Sequence, residues 1–123
     1  LSRIQQEVGW WAQRNFPNRK PHQPLLGALE ELGELAHAHL KLEQGIRTNE
    51  DHESKRVDAL GDIVIYLLDY CELHDLDLET IVELTWGVVK KRDWKKNPEN
   101  GESGESTLTD AEDLEPTAES QEK

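Results

Sequence analysis

The chain is poor in cysteine, methionine and aromatic residues, holding one Cys, no Met and only 6 % Phe, Trp and Tyr. A single thiol, Cys71, cannot build an internal disulfide framework, so the fold must rest on a packed core, as expected in a reducing, cytoplasmic setting. Basic residues are also in deficit. Lys and Arg total 14 against 26 Asp and Glu, for a net charge of −12. That balance argues against a DNA or RNA polymer as the primary ligand, because phosphate backbones are held by excess Lys and Arg. Long apolar runs are missing too. The longest, residues 63–68, is closed by Asp62 and Asp69 and falls far short of the roughly 20 residues a membrane helix needs. No membrane partner is expected. Neither a signal nor a transit peptide is visible, and a start at Leu1 reads as a trimmed, incomplete or unusually initiated N-terminus. Gly-rich phosphate loops, internal repeats and zinc patterns such as HExxH are absent. His37 and His39 stand two apart and cannot share a helical face, and His52 and His74 read as surface residues at helix ends.

What charge there is lies unevenly. Residues 99–123 carry nine acids and one base, a net of −8, and residues 1–98 carry the remaining −4. The tail has no aromatic residue and only two leucines. It cannot bury enough apolar surface to offset its ordering entropy and is expected to be disordered. Residues 1–98 form the expected domain, small enough that oligomerisation would help it considerably.

Four helical segments and no credible strand emerge from the apolar spacing of that domain. The first runs to about Asn15, with Ile4, Val8 and Trp11/Ala12 in phase, and breaks at Phe16-Pro17-Asn18. The second opens near Pro24, where proline is tolerated in a first turn. Leu25, Leu29, Leu32, Leu35, Leu40 and Leu42 carry it to a stop at Gly45. The third runs from about His52 to His74 with Val57, Leu60, Val64, Leu67/Leu68 and Cys71 as its apolar face. Its centre is apolar nearly all round and needs cover on several sides, from bundle neighbours or another subunit. The fourth is expected to start after an Asp77 N-cap and to end before Asn97-Pro98, with Lys90, Lys91, Arg92, Lys95 and Lys96 in its last turns. The expected architecture is an all-α four-helix bundle.

Carboxylates interrupt this pattern in two places. Glu30, Glu31 and Glu34 lie within one turn or so of the second helix, and Asp58 and Asp62 form an i, i+4 pair on the third. Like charges at that spacing destabilise a helix by roughly 0.2–0.5 kcal/mol per pair. Both clusters sit in the middle of the two most apolar helices, where burying charge is expensive. Gly33 and Gly61 each precede an acid at a helix-interior cost of about 1 kcal/mol against alanine, as though a helix or a ligand approached closely there. If the two helices pack antiparallel, both clusters face one cleft, and four or five converging carboxylates are what a hard divalent cation requires.

The segments PLLGALEELGELAHAHLKLEQGI, VDALGDIVIYLLDYC and VKKRDWKKNP together resemble the MazG-type nucleoside triphosphate pyrophosphohydrolases, over about residues 10–98. That family belongs to the all-α NTP pyrophosphatase superfamily. Its pattern is EExxE on one helix and ExxD on the next. Glu30, Glu31 and Glu34 match the first half, and the resemblance marks them as Mg²⁺ ligands. Asp62 matches the second half, whereas the family's glutamate falls on Ala59, with Asp58 one residue earlier as its substitute. The resemblance implies Mg²⁺-dependent hydrolysis of an NTP or dNTP between the α and β phosphates, with Mn²⁺ as a substitute metal and a nucleotide-pool housekeeping role. It also implies a homodimer or homotetramer.

A triphosphate brings about four negative charges to a carboxylate cluster and can bind only with its metal. Glu31 or Glu34 is the candidate to orient or deprotonate the attacking water. Lys91, Arg92 and Lys95 are candidates to meet the outgoing pyrophosphate, or else simply complement the helix dipole. His22, in PHQPLLGAL, resembles a base-lining histidine of the dCTP pyrophosphatases. Trp10 or Trp11 could stack on the base, and either could equally be core. The Ala59 departure favours a different class, a non-catalytic helical module that senses nucleotides or binds a partner.

Overall fold

The structure is a computed structural model that describes residues 1–102. The greater part of the expected disordered tail, residues 103–123, lies outside the described residues. Among the described residues there are four helices and no strand: α1 (Ser2–Asn15), α2 (Gln23–Gln44), α3 (His52–Leu73) and α4 (Leu78–Val89). No described helix is long and apolar enough to cross a membrane. The described residues fall into two compact units, one of residues 3–74 and one of residues 1–2 with residues 75–102.

The first unit is built on a hairpin of α2 and α3. Gly45 ends α2 in the left-handed region at φ 65°, and its N–H donates back to the carbonyls of Lys41 and Leu42. Asp51 starts α3: one carboxylate oxygen accepts from the Ser54 N–H at 3.1 Å and the other from the Ser54 hydroxyl at 2.9 Å. Such a cap contributes about 1 kcal/mol, and these bonds hold the Asp51 carboxyl below its ordinary range. Gly27 lies against Tyr66, Glu31 close to Asp62, and His37 against His52, so the two helices run antiparallel.

They meet through small side chains. Ala28, Ala38 and Ala59 are buried, with Leu68 and Cys71 further along α3. The apolar faces expected to form the core do so only in part: Leu68 and Cys71 of the expected α3 face are buried, and the rest of that face and the leucines of α2 largely are not. Leu25, Leu29 and Leu32 of α2 are 48–65 % exposed, and Val57, Leu60 and Val64 of α3 are 40–58 % exposed. The reason is helical geometry: α2 carries an alanine stripe and a leucine stripe on different faces, and alanine allows the closer backbone approach. A methyl group added at Gly33 or Gly61 would meet nothing within 4 Å, so the close approach expected there does not occur among the described residues. It occurs at Gly27, where the Tyr66 ring fills the space a Cβ would need. His52, expected at the surface, is 4 % exposed. It sits on the inner side of the first turn of α3, its Nε2 2.8 Å from the Arg47 carbonyl and its ring 6.5 Å from that of His37.

In α1 the buried Gln5 donates to Glu72 of α3 at 2.9 Å, and Gly9 also lies against Glu72. In the second unit α4 ends at Val89, earlier than expected. Lys91 and Arg92 follow in i→i−3 turns, and the Asp93 carboxylate accepts from the N–H groups of Lys95 and Lys96 at 3.1 and 3.0 Å. An aspartate that satisfies its own downstream backbone in this way competes with helix continuation. Asp77 is the N-cap of α4, as expected, and its carbonyl accepts from the Ile81 N–H at 3.0 Å, but its carboxylate accepts from Ser2 Oγ and Thr80 Oγ1 and not from a backbone N–H of the helix. Hydrogen-bonded structure continues to Gly101, which returns over Arg92 and Trp94 at φ 72°.

Candidate functional site

The register of α2 brings Glu30, Glu31 and Glu34 together, with one oxygen from each within 4.8 Å of the others. Antiparallel pairing then sets Asp58 and Asp62 of α3 across from Glu31 and Glu34. These four carboxylates line a cleft of about 440 Å³ whose floor includes Ala38 and Ala59. Glu30 stands at the edge of the cluster and does not line the cleft. The carboxylates are less buried than expected: Glu31 is half-buried and the other four are exposed. Crowding is still felt at Glu31. Partial burial, then repulsion from Glu34, Asp62 and Glu30, raise its pKa above the ordinary glutamate value, and when protonated it bonds to Glu34.

The cleft is not purely acidic. Lys55 and His37 line it as well, and Lys55 Nζ donates to Glu50 at 2.7 Å from the α2–α3 connection. Neither residue is among those the sequence pattern picks out, though spacing holds the signal. Lys55 precedes Asp58 by three residues and Asp62 by seven, and His37 follows Glu34 by three, so each shares a helical stripe with the acids.

A second cavity of about 820 Å³ adjoins the cleft, and Glu31 and Asp62 line both. Its wall is apolar and aromatic: Val8, Trp11, Phe16, Ile65 and Tyr66. Trp11 and Phe16 meet edge to face at 5.9 Å. Asn18 and Gln23 add side-chain amides. Tyr66 stands beside the acids, and burial followed by the charges of Glu31, Glu30, Asp62 and Glu34 raises its pKa. Its hydroxyl therefore stays protonated as a hydrogen-bond donor. Phe16 and Tyr66 do not stand out in the sequence, although Tyr66 follows Asp62 by one helical turn.

Of the expected base-side residues, Trp11 lines this cavity. Trp10 is 66 % exposed and lines neither space, and His22, exposed just ahead of α2, lines neither either. Lys91, Arg92 and Lys95 belong to the second unit and are not among the residues lining the cleft.

The crowded carboxylates form an oxygen-rich donor set that fits Mg²⁺ or Mn²⁺, and His37 is the single imidazole among the residues lining the cleft, where zinc sites ordinarily gather several nitrogen or sulfur ligands. Searches of family models, curated proteins and solved structures return no match for the chain.

Proposed function

We propose that the chain is a Mg²⁺-dependent nucleoside triphosphate pyrophosphohydrolase, converting an NTP or dNTP to the monophosphate and pyrophosphate. One observation carries the reading: a carboxylate cleft suited to a metal-bound polyphosphate opens beside an aromatic-lined cavity suited to a base, and Glu31 and Asp62 belong to both. The motif resemblance to MazG-type enzymes supplies the bond cleaved.

Glu31, Glu34, Asp58 and Asp62 would hold the metal, with Glu30 at the margin. Bound there, Mg²⁺ would neutralise phosphate charge and acidify a coordinated water. Glu34 or Glu31 would orient the attacking water and accept its proton. Lys55 and His37 face the phosphates from the end of the cleft away from the cavity, and Tyr66 donates a hydrogen bond where cleft and cavity meet. Asp58 supplies the carboxylate that Ala59 lacks. A second copy of the chain would cover the exposed stripes of Leu25, Leu29 and Leu32 and of Val57, Leu60 and Val64, since an uncovered apolar face of this kind marks an interface. A monomeric sedimentation coefficient would remove that part of the reading.

The test is pyrophosphate release, read by a phosphate assay coupled to inorganic pyrophosphatase, across a panel of NTPs and dNTPs with and without Mg²⁺. Turnover that needs Mg²⁺ and falls at least about a hundredfold in Glu34→Gln is expected. Absence of turnover in the wild type, or an unchanged rate in the variant, would overturn the proposal.

A further inference from the structure

A buried ion pair lines the aromatic cavity on the side away from the cleft. Arg19 Nε donates to one oxygen of Asp69 and Nη2 to the other, each at 2.8 Å, and the two side chains are 9 % and 10 % exposed. The third nitrogen, Nη1, donates to Gln13 Oε1 at 3.2 Å and to the Phe16 carbonyl at 3.3 Å. One guanidinium thus joins the last turn of α1, the connection that follows it, and α3. Phe16, Pro17 and Asn18, which wall the cavity, immediately precede Arg19 in that connection.

On α3 the position of Asp69 is as informative. It follows Asp62 by seven residues, two turns along the same face and about 10.5 Å along the axis. Tyr66 lies between them. The cleft ligand and the anchor of the cavity wall are therefore on one rigid stripe. A buried ion pair is a poor source of net stability, because desolvation offsets most of the attraction. A forked pair does fix distance and angle, which an apolar contact or a lysine does not.

We infer that the Arg19–Asp69 pair is the positioning device of the base side of the site. It holds the wall of residues 16–18 against α3 before the nucleotide arrives, and so sets how strongly the cavity discriminates among nucleobases. Arg19 and Asp69 are positioning residues that act through Phe16 and Asn18. The inference rests on the nucleotide reading above.

The experiment compares wild type, Arg19→Lys, Asp69→Asn and the charge-reversed double variant Arg19→Asp/Asp69→Arg. Nucleotide turnover is measured over a panel of bases, beside inhibition by inorganic tripolyphosphate with Mg²⁺, a ligand that has phosphates and no base. Arg19→Lys should raise KM for the preferred nucleotide about tenfold with kcat within about twofold. The ratio between best and worst base should shrink, while tripolyphosphate inhibits as before. The double variant should recover part of the loss. Parallel weakening of tripolyphosphate, or an unchanged ratio among bases, would overturn the inference in favour of a purely structural role. Hydrogen exchange over residues 16–22 gives a second arm that needs no nucleotide. Faster exchange there in Arg19→Lys, with residues 28–38 unaffected, is expected, and exchange at the wild-type rate would overturn the positioning role. A wild type that binds neither nucleotide nor tripolyphosphate defeats the nucleotide reading instead, and the exchange arm then decides whether the pair holds the wall.

Discussion

Replacing Gly27 by alanine tests how α2 and α3 are seated and how Tyr66 is held between cleft and cavity. A methyl group at Gly27 would fall 2.6 Å from Tyr66 Cζ and 2.7 Å from Cδ1. Carbon atoms are comfortable at about 3.5 Å, so the ring must retreat by nearly an ångström or the helices must part. Overpacking of this kind costs about 1–3 kcal/mol. Alanine also recovers about 1 kcal/mol of helix propensity, whichever glycine is replaced. Gly33 and Gly61 are the comparators, because a methyl at either meets nothing within 4 Å. The propensity gain is common to all three variants and cancels on comparison. Gly33→Ala and Gly61→Ala should therefore be about 1 kcal/mol more stable than wild type, and Gly27→Ala should lie about 1–3 kcal/mol below them. Urea unfolding followed by circular dichroism reads the difference as a shift in midpoint at constant slope. A comparator pressed on by a second copy would reveal itself through a concentration-dependent midpoint. Shortening the side chain in Gly27→Ala/Tyr66→Leu should restore the loss. Equal stabilisation at all three positions would refute the seating of Tyr66 on Gly27, and with it the placement of its hydroxyl beside Glu31 and Asp62.

Lys55→Gln removes a cation from the acidic cleft, so Mn²⁺ affinity without nucleotide should rise while KM for the Mg²⁺ nucleotide rises about three- to tenfold. Titration calorimetry and steady-state kinetics read the two, and movement of both affinities in the same direction would remove Lys55 from the phosphate end. Glu31 carries a raised pKa, so above the ordinary value of 4.5 the folded chain keeps a proton that the unfolded chain has lost. Its contribution to stability is therefore lost as pH rises through that window. Metal-free Glu31→Gln should accordingly be more stable than wild type at pH 7, with the advantage vanishing below the ordinary glutamate range, and wild-type Mn²⁺ affinity should climb over the same interval. A stability difference independent of pH would contradict the crowding at Glu31.

Much of this molecule is legible in the order of its residues. The four helices begin and end where proline, the Asp51 cap and Gly45 say they should, to within a residue or two, except at α4. There Asp93 turns its carboxylate to the backbone of Lys95 and Lys96, a local bond that outcompetes a helix otherwise continuous in pattern. The acids at positions 30, 31, 34, 58 and 62 are visible as interruptions of apolar helices, because helical periodicity is a property of the chain alone. Which apolar stripe each helix buries is not. α2 has both leucines and alanines in phase, and only the closest approach of two backbones selects the alanines and leaves Leu25, Leu29 and Leu32 outside.

The sequence by itself determined the helices and the acidic stripes, since these follow from near-neighbour spacing and composition. Tertiary structure alone decided what meets those stripes. Lys55 and His37 enter the cleft, Tyr66 settles on Gly27, and Arg19 finds Asp69 fifty residues away, because each depends on the register of one helix against another. That register is set by the summed packing of Ala28, Ala38 and Ala59, and no local pattern in the chain encodes it.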